Sequence, residues 1–163
     1  MAESPPPNPP VGHPSPAPGA PVFRRCLVAL DLTESDAPVL RILPGLRNAI
    51  GAELVVVHVV LVGTSVSADA MDGAPGTPGE QAMLAAMRSR VEGALGGSAA
   101  PTEFKILHGD PSERLVEFAD HSDCDLLVLS SHRRGLLGRL VRGSVSSSVV
   151  SSSHRSVLVV GDP

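Results

Sequence analysis

Cys26-Leu27-Val28-Ala29-Leu30-Asp31 is a continuous apolar run closed by a single acid. A strand with one wet face alternates apolar and polar residues. A run that does not alternate suits a strand buried on both faces, as in a parallel sheet. Comparable runs follow at residues 54–60, 126–129 and 157–160, with a weaker one at 103–107. Helical periodicity fills the intervals. Val39, Leu40, Leu43, Leu46 and Ile50 share one face, with Pro44-Gly45 expected to kink or break that helix. Met83, Leu84, Met87, Val91 and Leu95 form a second stripe. A third pattern starts near Pro111 and carries Leu115, Val116 and Phe118. The last covers about residues 144–153, with Val145, Val149 and Val150 expected inward. Strands alternating with helices predict an α/β fold: a doubly wound, five-stranded, mainly parallel sheet with helices on both faces.

Around this core the chain of 163 residues is uneven. Nine of its 16 prolines fall within residues 1–21, a Pro/Ala/Gly-rich tail expected to be disordered, which leaves residues 22–163 as one domain of common size. Residues 61–79 lack periodicity and read as a long surface loop. Cys26 and Cys124 are neither a disulfide framework nor a metal set, and the histidines lack metal-ligand spacing. No apolar run approaches the length of a membrane span, and the N-terminus lacks a secretory pattern, so the expected setting is cytoplasmic. Aromatics at 2% with no Trp or Tyr, and a net charge of −4, argue against nucleic acid as a partner. Lys105 is the single lysine, which excludes a lysine-dependent phosphate loop. The charge is nonetheless segregated: residues 126–161 hold five arginines and no acid, so the remainder carries −4 − 5 = −9. Such a basic segment is a candidate anion site or a solvated helix face.

Ligands of doubly wound sheets bind beyond the carboxyl ends of the strands, where the strand order reverses. Three segments meet that description. Asp31 ends the first run, where it can accept a ribose or adenine hydrogen bond or simply order the turn. Thr33 and Asp36 after it have capping-box spacing. His108-Gly109-Asp110-Pro111 reads as a structural turn into a helix. The third segment, residues 130–144, leaves the fourth run with Arg133, Arg134, Arg139 and Arg142 and ends on Gly143-Ser144 at a helix start. Free N–H groups there bind anions, and Gly143 lets a phosphate approach the backbone. His58 reads as a satisfied core histidine. A G-x-S-x-G nucleophile motif is absent, and no catalytic residue is assigned.

In order and spacing, these pieces resemble the universal stress protein family over about residues 24–161. The carriers are the opening Cys26 to Asp31 run, Val56-Val57-His58-Val59, Gly109-Asp110-Pro111-Ser112-Glu113, Cys124-Asp125-Leu126-Leu127-Val128, Ser131-His132, Gly143-Ser144-Val145 and Ser156-Val157-Leu158-Val159-Val160. The resemblance implies a Rossmann-like fold and a stress-response regulator that binds ATP or AMP, and few lysines with abundant Ala, Gly, Pro, Arg and Val fit a bacterial source. Adenine and ribose contacts would fall on Ala29, Leu30, Asp31 and Val59. Phosphate contacts would fall on Ser130, Arg133, Gly143, Ser144 and Val145. Nucleotide-binding members carry G-x2-G-x9-G-[ST], and this chain has Ser130 and Arg133 at the first two glycine positions. The phosphate loop is thus degenerate: Arg133 occupies space a triphosphate needs, although a guanidinium can itself grip phosphate. The resemblance also implies a homodimer through the last strand, Val157 to Val160, an apolar edge that would otherwise stay open. The alternatives are a slow ATP hydrolase, or a nucleotide-independent module whose basic segment meets an acidic protein partner.

Overall fold

A computed structural model describes residues 23–61, 76–97, 102–131 and 145–161. The expected disordered tail, residues 1–21, lies outside them. Five strands are present: β1 (Arg25–Ala29), β2 (Glu53–Val60), β3 (Thr102–His108), β4 (Leu126–Ser130) and β5 (Ser156–Val160). They form one sheet in the order β3-β2-β1-β4-β5, and every pairing is parallel. The helices among the described residues are α1 (Ala37–Ile50), α2 (Pro78–Leu95), α3 (Pro111–His121) and α4 (Val145–Ser152), with a 3-10 turn at Glu34–Asp36.

The unbroken apolar runs are explained by two cores, one on each face of the sheet. Cys26, Val28 and Leu30 of the first run, with Leu54, Val56, Leu126 and Val128, meet Val39 and Leu43 of α1 and Met87 and Val91 of α2. The residues between them, Leu27, Val55, Val57, Leu127 and Leu129, meet Leu115 and Ala119 of α3 and Val149 of α4. Period-2 geometry sends alternate side chains to opposite faces, so a strand covered by helices twice over needs apolar residues throughout. Cys26 and Cys124 fall into different cores, as free buried thiols. Burial, with a smaller contribution from Cys124, pushes the Cys26 thiol up to about 12, which makes it chemically inert.

At the amino end of the sheet Asp125 ties β1 to β4. Its carboxylate accepts the backbone N–H groups of Arg24 at 2.8 Å and Arg25 at 3.1 Å. On the outer side of β2, Arg88 of α2 lies 4.7 Å from the Phe104 ring of β3, so α2 covers that edge strand with both apolar and cation–π contact.

Two expectations are corrected. The break expected at Pro44-Gly45 does not occur, and α1 continues through it. One proline removes one hydrogen bond, and burial of Val39 and Leu43 in the turn before it outweighs that loss. In α4, Val145 and Val150 are not buried: they are 42% and 53% exposed, while Ser146 and Val149 are buried. The helix meets the sheet through Ser146 and Val149, an i, i+3 pair, which leaves both flanking valines partly in contact with solvent.

Because Pro44 costs α1 a hydrogen bond, Pro44→Ala should stabilise the domain by about 1–2 kcal/mol after allowing for the freer unfolded chain. Urea denaturation reads this directly, and an unchanged or lower midpoint would contradict it.

Candidate functional site

Strand order reverses beside β1, whose neighbours are β2 on one side and β4 on the other. A cavity of about 160 Å³ opens there, beyond the carboxyl ends of the strands. Among the described residues it is lined by Ala29, Leu30 and Asp31 after β1, Val57, His58 and Val59 of β2, and Leu129 and Ser130 of β4. Pro111 and Leu115 of α3 and Val145 and Ser146 of α4 complete the wall. Six of the nine residues singled out from the sequence therefore share one wall: Ala29, Leu30, Asp31, Val59, Ser130 and Val145. Arg133, Gly143 and Ser144 lie outside the described residues.

The walls are mostly aliphatic, and polar groups enter from three directions. Asp31 is the acid among them. Its Oδ1 accepts the Thr33 N–H at 2.8 Å and the Thr33 hydroxyl at 2.7 Å, and its Oδ2 accepts the Ser35 hydroxyl at 2.6 Å. Burial alone would raise its pKa, but these hydrogen bonds from Ser35 and Thr33 prevail and hold the carboxyl below its ordinary value. Asp31 is therefore an ionised, acceptor-only group at neutral pH. His58 donates from Nδ1 to the Leu30 carbonyl at 2.8 Å, while the Leu30 N–H donates to the Val57 carbonyl at 2.9 Å. The histidine is satisfied, as the sequence reading has it, yet it also belongs to the cavity wall and fixes Leu30 there. The third polar direction is the start of α4, where Ser146 lines the wall beside Val145.

The Gly109 turn is structural, as expected. Gly109 has φ +130°, and a Cβ there would press on the Arg114 side chain at 3.3 Å. The Asp110 carboxylate caps α3 by accepting the N–H groups of Ser112 and Glu113. That cap starts α3 where Pro111 and Leu115 can form the cavity wall, so the turn contributes to the site indirectly.

Of the expected Thr33/Asp36 capping box only the Thr33 half forms, its hydroxyl accepting the Ser35 N–H at 3.2 Å as N-cap of the 3-10 turn. The Thr33 N–H goes to Asp31, and Asp36 makes no side-chain cap to α1. Instead the Asp36 carboxylate turns back and accepts the N–H groups of Asp31 and Leu32, each at 2.9 Å. Arg90 of α2 donates to the same carboxylate at 3.1 Å. Asp36 is almost wholly buried, and burial, with the nearby Asp31 charge acting in the same direction, pushes its pKa up to about 6. Two carboxyls set at different pKa values suggest an acid–base pair. Asp36 is not part of the cavity wall among the described residues, so it cannot touch a reacting atom there. Sequence reasoning missed this pair: an Arg on the polar stripe of a helix looks like any solvated charge. No group of three His, Cys, Asp or Glu able to hold a metal occurs among the described residues. No helix among them is long and apolar enough to cross a membrane.

The comparisons agree with the fold. The model of the universal stress protein family matches residues 23–161. The chain is 37% identical over 59 residues to universal stress protein MJ0531 of Methanocaldococcus jannaschii. It is 36% identical over 61 residues to stress response protein NhaX of Bacillus subtilis. These matches span 36% and 37% of the chain and only 35% and 37% of those curated relatives. Among solved structures, a universal stress protein in complex with cAMP superposes with TM-score 0.64 at 25% identity, over 85% of this chain and 97% of that one. A universal stress protein from Archaeoglobus fulgidus in complex with dAMP has the same fold, with TM-score 0.60 at 20% identity, over 85% and 98% of the two chains.

The buried acid makes a signed pH prediction. Folded, Asp36 keeps its proton to about pH 6, whereas unfolded it releases it near 3.8. Its contribution to stability is thus fully present below pH 3.8 and lost as pH rises through 6. Asp36→Asn cannot titrate, so the stability difference, wild type minus variant, should fall between pH 4.5 and pH 7.5 in paired urea titrations. A rise over that interval would show that Arg90 outweighs burial.

Proposed function

The chain belongs to the universal stress protein family, and we propose that it is a stress-response regulator that binds an adenine nucleotide, AMP or ATP, in the cavity beside β1. The observation that carries this reading is the convergence of an ionised Asp31, aliphatic walls and the α4 N-terminus on one crevice at the reversal of strand order. Ala29, Val57, Val59 and Leu129 suit the flat faces of a base. Asp31 suits a ribose hydroxyl, and the opening N–H groups of α4, next to Ser130, suit an anion. Ligand pockets commonly enclose about 300–1,000 Å³. The 160 Å³ here accommodates the base, with sugar and phosphates extending outward past α4. The complexes with cAMP and dAMP formed by proteins of this fold support the same class of ligand.

The proposed role is binding without turnover, in a cytoplasmic setting and as a homodimer. Val159, on the edge strand β5, is 38% exposed, and Val150 beside that strand on α4 is 53% exposed. Pairing through Val157 to Val160 would cover an apolar edge that is otherwise open to uncontrolled association. Sedimentation should then show twice the 16.7 kDa chain mass at micromolar concentration; a single-chain species would refute the dimer.

Titration calorimetry with AMP, ATP and cAMP tests the nucleotide. Asp31→Ala should weaken AMP by about tenfold or more, the loss of a hydrogen bond to a charged acceptor. Gly143→Val should abolish binding, and Arg133→Gly should strengthen ATP by restoring the motif glycine. If the unmodified chain binds no nucleotide, the reading fails in favour of an interaction module whose arginine-rich segment contacts an acidic partner. Phosphate release from bound ATP would instead establish a slow hydrolase.

A further inference from the structure

We propose that Arg90 and Asp36 are positioning residues for this site: they hold Leu32 in left-handed backbone and thereby fix the direction in which Asp31 leaves β1. The inference rests on the nucleotide reading for its functional consequence, but the clamp itself is a property of the free protein.

Leu32 has φ +63°, a region that residues with a Cβ rarely occupy. Such a residue persists only where its surroundings over-determine it. At Leu32 each backbone group is accounted for. Its N–H donates to Asp36 Oδ2 at 2.9 Å. Its carbonyl accepts Arg90 Nη2 at 2.8 Å. Its side chain packs on the core shared by α1 and α2. The other branch of the guanidinium, Nη1, spans the Thr33 carbonyl at 2.8 Å and Asp36 Oδ2 at 3.1 Å. The fork therefore ties two successive carbonyls and a buried carboxylate together, a geometry a point charge on a flexible stem does not reproduce. Asp36 completes the arrangement from the opposite direction, through its other oxygen to the Asp31 N–H at 2.9 Å. Asp31 is thus held at its own amide by Asp36 and through the Leu32 and Thr33 carbonyls by Arg90. Arg90 reaches the loop from α2, 57 residues from Thr33 along the chain. No part of Arg90 or Asp36 belongs to the cavity wall among the described residues, so their influence on a ligand passes through Asp31.

The test uses the full chain, wild type, Arg90→Ala, and Arg90→Ala combined with Leu32→Gly. Amide hydrogen exchange on the free protein should show the Asp31 and Leu32 amides exposed in Arg90→Ala while the β1 amides stay protected. Calorimetry with AMP should show affinity falling about fivefold to tenfold in Arg90→Ala. Glycine occupies positive φ without external support, so the double variant should recover to within about twofold of wild type. An arginine that merely anchors α2 would not be rescued by glycine at position 32. Unchanged exchange at Asp31 and Leu32 overturns the clamp. Equal AMP affinity in wild type and Arg90→Ala, or a double variant as weak as the single, overturns the positioning role. If wild type binds no AMP, the nucleotide reading fails and the positioning role fails with it, while the exchange measurement still decides the clamp.

Discussion

Everything in this molecule depends on β1 being hydrogen-bonded on both edges to parallel neighbours. Parallel neighbours require crossover helices, and the helices must lie on opposite faces once the chain turns from building toward β3 to building toward β5. Both faces of β1 are thereby buried, which is why its sequence cannot alternate. The two ends of the β1–β4 pair are then treated differently. At the amino end, Asp125 closes the gap by taking two backbone N–H groups of the neighbouring strand. At the carboxyl end the connections diverge, and among the described residues a cavity is left between them. The crevice is a consequence of strand order, and the loop chemistry decides what it can hold.

Legibility followed that division. Strands with no polar alternation and helices with clean apolar stripes were readable because burial dictates residue type at every position. Met87, Val91, Leu115 and Val149 all face the cores the periodicity assigns them. Errors arose where a local rule met a tertiary one. Pro44 is a helix breaker in isolation, but it sits one residue from buried Leu43 in a helix pressed on the sheet. The valines of α4 outnumber the positions facing inward, and hydropathy cannot say which of Val145, Val149 and Val150 wins. The segment after β1 was legible as a site because Asp31 ends a buried strand. Its internal wiring was not, since Thr33 and Asp36 could equally have formed a cap to α1.

On the proposed nucleotide reading, that wiring suits a ligand-facing loop. An acid can serve a ligand only if its direction is set in advance, and a loop leaving a strand has no ladder to set it. Asp31 is ionised by hydroxyls and an N–H from its own turn, so its charge is settled locally by Thr33 and Ser35. Its direction is not, because those partners move with the turn itself. An external reference is needed, and the structure supplies it from α2, an element packed beside α1 on the same face of the sheet and far away in sequence. Placing that reference in a buried carboxylate has a cost, seen in the raised pKa of Asp36. A surface contact would have avoided the cost but would have left the left-handed Leu32 without a fixed partner. The burial of Asp36 is therefore the physical counterpart of a preset Asp31, and the strain at Leu32 marks where the two meet.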